Sequence, residues 1–179
     1  DSTPQRPPLL SLSLQSGATT TNTVINGETI TYTIQIKNPN NRHITITSLE
    51  DILPETGLTN IQCGGCTIIS DSKKYEDPIG DQFEVTTTTK LTWSSLTLTS
   101  SQTKTYSFTA QVSGQNNAAM LNNRAILIFK DANNQAGLID SSLLATVRVQ
   151  IKTPAQLGLS AAPSWLSDEP AAATGVDWG

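Results

Sequence analysis

Gly27-Glu28-Thr29-Ile30-Thr31-Tyr32-Thr33-Ile34-Gln35-Ile36-Lys37-Asn38 is the stretch on which the fold reading turns. Ile30, Tyr32, Ile34 and Ile36 alternate with Thr31, Thr33, Gln35 and Lys37, the period-2 signature of a strand with one face buried and one wet. Asn26-Gly27 supplies a tight turn before it. Asn38-Pro39-Asn40-Asn41 ends it, because Pro lacks the donor a ladder needs and Asn tolerates turn geometry. Upstream, Leu10, Leu12 and Leu14 share one face opposite Ser11 and Ser13. Downstream, Ile44 and Ile46 point inward on the next strand.

The same period recurs to residue 152, and helical periodicity almost nowhere. Residues 51–80 are punctuated by Pro54, Gly57, Gly64, Gly65, Pro78 and Gly80 and read as mostly loop. Strand character resumes around Val85, Leu91, Trp93, Leu96 and Leu98, with Trp93 as the expected central core aromatic. Tyr106, Phe108, Ala110 and Val112 alternate next. Ala125 to Phe129 is apolar on both faces, as a strand covered on two sides would be. Leu143, Ala145, Val147, Val149 and Ile151 form the last alternating run. Seven to eight strands at this spacing predict an all-β antiparallel sandwich with extended terminal segments. The organisation is an arm over 1–8, a sandwich over 9–152 and an Ala/Pro-rich tail over 153–179.

Charged residues make up 15% of the chain and aromatics 5%, and Ser and Thr together outnumber the charges. A net charge of −4 excludes a phosphate-binding surface, so nucleic acid is not an expected partner. No apolar run is long enough to span a bilayer as a helix. The polar, proline-rich start at Asp1 reads like that of a mature secreted protein whose signal peptide has been removed.

Three further segments complete a pattern. The stretch quoted first resembles the G-x-x-v-x-Y-x-i-x-v-x-N opening of the repetitive Ig-like domain of large bacterial and archaeal surface proteins. Asp51-Ile52-Leu53-Pro54-Glu55-Thr56-Gly57-Leu58 resembles that family's D-x-L-P-x-G-L turn. Asn123-Arg124-Ala125-Ile126-Leu127 is similar to its N-x-A-x-v strand, and Leu91-Thr92-Trp93 to its l-x-W strand. The resemblance covers roughly residues 9–150. It implies an Ig-like sandwich acting as spacer, stalk, adhesin segment or fibre building block at the cell surface, with no common catalytic residues and no cofactor. Family modules usually occur in tandem, whereas this sequence shows one module and an unusual tail. A single module gains length only by polymerising, so the expected function is a subunit of an extracellular filament, pilus-like fibre or surface layer. Other copies of the chain are then its main partners. The expected assembly residues are Leu10, Leu12 and Leu14 in the first strand, offered for strand exchange, and Trp165, Leu166 and Trp178 in the tail as anchors in another copy. The alternative is a secreted adhesin or carbohydrate-binding module, with Tyr75 and Trp178 as contact aromatics and cell-surface glycans or other surface proteins as partners.

Other motifs have plainer readings. Leu53-Pro54-Glu55-Thr56-Gly57 has the letters of a sortase signal but lies mid-domain, where Pro and Gly serve a turn. Cys63-Gly64-Gly65-Cys66 cannot close a four-ligand zinc site, since the chain has two Cys and one His. With no helix to follow, a structural disulfide between Cys63 and Cys66 is expected in an oxidising location. The acidic groups Asp71, Glu76, Asp77, Asp81, Glu84 and Asp131, Asn133, Asp140 do not have EF-hand spacing and read as solvated loops; no metal is expected. His43, beside Arg42, reads as a surface polar residue. A Lys–Asn isopeptide bond would draw on Lys37, Lys90, Asn38 and Asn123, but it needs a buried Lys and Lys37 points to the polar face. No hydrolase motif and no N-x-S/T sequon occurs.

Overall fold

The computed structural model describes residues 6–76, 82–113, 120–130 and 141–152. Twelve strands are present there: β1 (Leu9–Ser16), β2 (Thr19–Thr20), β3 (Thr23–Ile25), β4 (Thr29–Lys37), β5 (Ile44–Ile52), β6 (Leu58–Cys63), β7 (Thr67–Glu76), β8 (Gln82–Trp93), β9 (Leu96–Leu98), β10 (Thr103–Val112), β11 (Met120–Lys130) and β12 (Ser141–Lys152). They form two sheets, one in the order β2-β1-β4-β10-β6 and the other β3-β12-β11-β5-β8-β7, with β9 also paired to β5. The all-β sandwich read from the alternation is therefore present. Its strand count exceeds eight because three pieces of two or three residues cap sheet edges or continue a strand across a break, and because two further strands, β6 and β7, lie in the stretch read as mostly loop. All pairings are antiparallel except β3 with β12.

The inner faces follow the alternation. Ile30, Tyr32, Ile34 and Ile36 of β4 are fully buried, and Trp93 lies in the core at 4% exposure. Tyr32 stacks on Phe108 with ring centroids 5.0 Å apart, and Trp93 meets Tyr106 across the sandwich. On β11, Leu121, Asn123, Ala125, Leu127 and Phe129 all face inward. Its outer face departs from the two-sided cover expected: Ile126 and Ile128 are half-buried, and Leu144, the register partner of Ile126, is 61% exposed.

β5 holds the most consequential irregularity. Its register against β11 shifts between Ile46↔Phe129 and Ser48↔Ile128, leaving Thr47 as an extra residue. A bulge of this kind reverses which residues face inward. Ile44 and Ile46 are buried before it, Leu49 and Asp51 after it. Without the bulge, Ile52 would face the core and Asp51 the solvent.

The middle of the chain is not the loop its composition suggests. β6 and β7 occupy most of it, paired with β10 and β8; Leu58, Ile61 and Cys63 of β6 pack only partly against the core, and Ile68 and Ile69 of β7 remain exposed. Such strands leave no hydrophobic alternation to read. Gly57 and Gly65, at φ 95° and 75°, make the turns that enter and leave β6, conformations that L side chains resist.

Candidate functional site

Four sheet edges and one buried polar group are the features with chemistry to offer. β1 pairs with β4 along its whole length, from Leu9↔Lys37 to Ser16↔Ile30. On its other side β2 reaches only Gln15 and Ser16. From Leu9 to Ser13 that outer edge has no strand partner among the described residues. No charged residue and no Pro interrupts β1. Facing it across the sandwich, β12 is covered on its outer edge by β3 only at Gln150–Lys152.

On the opposite side, β6 is six residues long, carries Asn60 at φ 50° and pairs with β10 through a register shift between Thr109 and Gln111. β7 carries Asp71, Lys73, Lys74 and Glu76 along its length. The turn between them is closed by a Cys63–Cys66 disulfide with Cα atoms 5.9 Å apart, which clips the corner where the chain passes from one sheet to the other. No redox helix stands beside it among the described residues.

The start of β1 is fastened locally. Asn38, fully buried, donates through Nδ2 to the carbonyls of Arg42 at 2.7 Å, Leu98 at 3.2 Å and Thr99 at 2.9 Å. Its Oδ1 accepts from the Asn40 backbone N–H at 3.0 Å. Asn40 in turn exchanges two bonds of 2.8 Å with the backbone of Arg6. Leu14 of the same strand is fully buried, while Leu10 and Leu12 pack partly against the core. The three leucines proposed for exchange thus belong to the chain's own sheet.

The buried polar group joins three segments that the sequence reading singled out. Asp51 of β5 and Asn123 of β11 are both fully buried, and Asn123 Nδ2 donates to Asp51 Oδ2 at 3.2 Å. Tyr32 of β4 interacts electrostatically with Asp51 from the opposite sheet. Asp51 Oδ1, Asn123 Oδ1 and the Tyr32 hydroxyl have no hydrogen-bond partner among the described residues. Burial pushes the Asp51 carboxyl up to about 7, against a smaller downward pull from the Asn123 bond. Burial first, and then the Asp51 charge, raises the Tyr32 phenol far above its ordinary value. Sequence reasoning gave this group no role. Its available signal was Asn123, a polar residue in phase with Leu121, Ala125 and Leu127.

The remaining sequence candidates separate. Leu53 is buried at the end of β5, and the Gly57 carbonyl accepts from Ser113 N–H at 3.0 Å, so the segment with sortase-like letters is an ordinary connection between strands. Lys37 is exposed at the end of β4, and Lys90 Nζ lies 3.3 Å from Glu50 on the outer face, so neither amine reaches Asn38 or Asn123. His43 and Asp71 are exposed, and no group of three metal-binding side chains occurs among the described residues. Among the described residues no helix is long and apolar enough to cross a membrane. Trp165, Leu166 and Trp178, with the whole 153–179 tail, lie outside the described residues, as do Asp77, Asp81, Asp131, Asn133 and Asp140. Nor are the side chains of Tyr75, Glu76 and Glu84 described.

No family model and no curated protein matches the chain. Solved structures do. AvmM, which catalyzes macrocyclization in alchivemycin A biosynthesis, matches at 11% identity and TM-score 0.45 over 89% of this chain and 92% of its own. A CARDB domain from Pyrococcus furiosus, solved with di-metal ions, matches at 14% and TM-score 0.38 over 81% and 89%. The major pilin subunit BcpA of Bacillus cereus matches at 14% and TM-score 0.45 over 83% of this chain and 42% of its own. The likeness to these structures assigns no activity.

Proposed function

We propose that this chain is a non-enzymatic structural subunit of an extracellular filament, pilus-like fibre or surface layer, joined to its neighbours along the β1 side of the sandwich. The observation that carries this reading is the edge of β1 from Leu9 to Ser13, regular, uncharged and without a strand partner among the described residues. Unpaired backbone groups on such an edge are a template for a strand from another chain. β1 is seated in its own sheet by Leu14 and the Asn38–Asn40–Arg6 bonds, so addition of a segment to its outer edge fits better than its exchange. The proposed donor is the 153–179 tail of the next copy, in which Leu157 and Leu159 alternate before Trp165, Leu166 and Trp178. A contact between tail and edge is heterologous and does not close, which generates fibres rather than dimers. The family resemblance of the four quoted segments supports a surface location.

A glycan-binding role finds little support in the described aromatics: Tyr32, Trp93, Phe108 and Phe129 are buried, and half-buried Tyr106 is overlain by Lys104 Nζ, 5.9 Å from its ring centre. Electron microscopy of the protein beside a version ending at Thr153 tests the assembly reading. Fibres or sheets that vanish on truncation support it, and particles that stay monomeric in both samples defeat it.

A further inference from the structure

The group formed by Tyr32, Asp51 and Asn123 lies in the core, away from the β1 edge, and is poorly satisfied if Asp51 is charged. An ionised carboxylate only accepts hydrogen bonds. Asp51, fully buried, would then receive one donor at 3.2 Å on Oδ2 and none on Oδ1, while Asn123 Oδ1 would also go without a donor. A proton shared between these two oxygens would satisfy both acceptors at once. The two side chains are diagonal neighbours on adjacent strands, since Asp51 is in register with Ala125, two residues along from Asn123. An acid and an amide so placed can close a ring of two bonds, one donated by each.

The charged surroundings agree. Asp51 is flanked in register by Ala125 on β11 and Leu91 on β8, both buried. The charged residues next along these strands, Glu50, Lys90 and Arg124, alternate to the outer face, where Lys90 and Glu50 pair with each other and Arg124 is exposed. From the other sheet the titratable group is Tyr32, itself buried and held neutral. Cys63 and Cys66 are disulfide-bonded and do not titrate. Among the described residues nothing in this shell offers a cation to compensate a carboxylate, and an uncompensated buried charge takes up a proton instead.

We propose that Asp51 is held in the folded protein as the neutral carboxylic acid, its O–H donating to Asn123 Oδ1 while Asn123 Nδ2–H donates to Asp51 Oδ2, so that the sandwich weakens as pH rises from the acid range toward neutrality. The direction follows from linkage. A carboxyl that keeps its proton up to about 7 when folded, against 3.8 when free, makes the folded state the better proton binder between those values. Its contribution is complete below pH 4 and is lost as pH passes 7. The ceiling is a fall on the order of a thousandfold in the folding constant.

The test uses the full chain. Urea midpoints are measured from pH 4 to 9 for the protein and for Asp51→Asn, in which the amide can make the same two bonds without a proton. The expected result is a midpoint that falls with pH in the unmodified protein and a profile at least tenfold shallower in folding constant in the variant. The carboxyl carbon of Asp51, followed by NMR in unmodified protein labelled at aspartate, supplies a reading that does not require the variant to fold. Titration near neutrality supports the neutral pair. Titration in the ordinary carboxylate range, or equal pH profiles in the two proteins, overturns it.

Discussion

The two long sides of this sandwich are built on opposite plans. On one, β6 is short and bulged, β7 carries four charged residues, and a disulfide clips the corner between them. These devices discourage strand addition. On the other, β1 presents a straight run of Leu and Ser with no charge, and β2 and β3 cover only the ends of β1 and β12. A fold that guards one side and, among the described residues, leaves most of the β1 edge without a strand partner has a direction, and a subunit of a fibre needs one.

The comparison can be broken first from inside. If β1 is a resident strand, Leu14→Ala leaves a cavity in the core and destabilises the isolated domain by about 3 kcal/mol. Urea denaturation reads this, and a loss under 1 kcal/mol would mean that β1 is displaceable. Asn38→Ala strips the donor from three carbonyls and unfastens Asn40 from beneath Arg6. A cost of about 2 kcal/mol is expected, together with faster amide exchange at the start of β1. On the guarded side the disulfide closes a very short loop, so Cys63→Ser with Cys66→Ser lowers stability by at most about 2 kcal/mol and leaves assembly unchanged. Smallest of all, Leu9→Ala, at a side chain 56% exposed, moves stability by less than about 0.5 kcal/mol.

Much of this architecture was legible because alternation reports burial directly. β4, β10 and the inner face of β11 could be read residue by residue, and Trp93 fell in the core as its strand pattern required. What escaped had physical reasons. β6 and the first residues of β7 are paired by hydrogen bonds but contribute no fully buried side chain, so no clear alternation marks them. The bulge at Thr47 reverses the phase of β5, and with it Asp51 moves from an expected surface turn into the core. Asn123 was visible as part of a motif, but its partner could not be inferred until that phase was known. Burial of Leu14 was consistent with the alternation of β1, whereas the openness of its outer edge depends on topology and has no counterpart in the sequence.

The central claim is that copies join at the β1 edge, and matched charge insertions on the two sides test it most directly. Ser11→Lys places a cation on the exposed face of β1, and Thr67→Lys places one on exposed β7; neither side chain is buried, so both domains should keep their stability within about 0.5 kcal/mol. Sedimentation and electron microscopy of the two full-length variants should then find Ser11→Lys monomeric and Thr67→Lys assembled like the unmodified protein. Assembly that survives in Ser11→Lys, or is lost equally in both variants, would contradict the account.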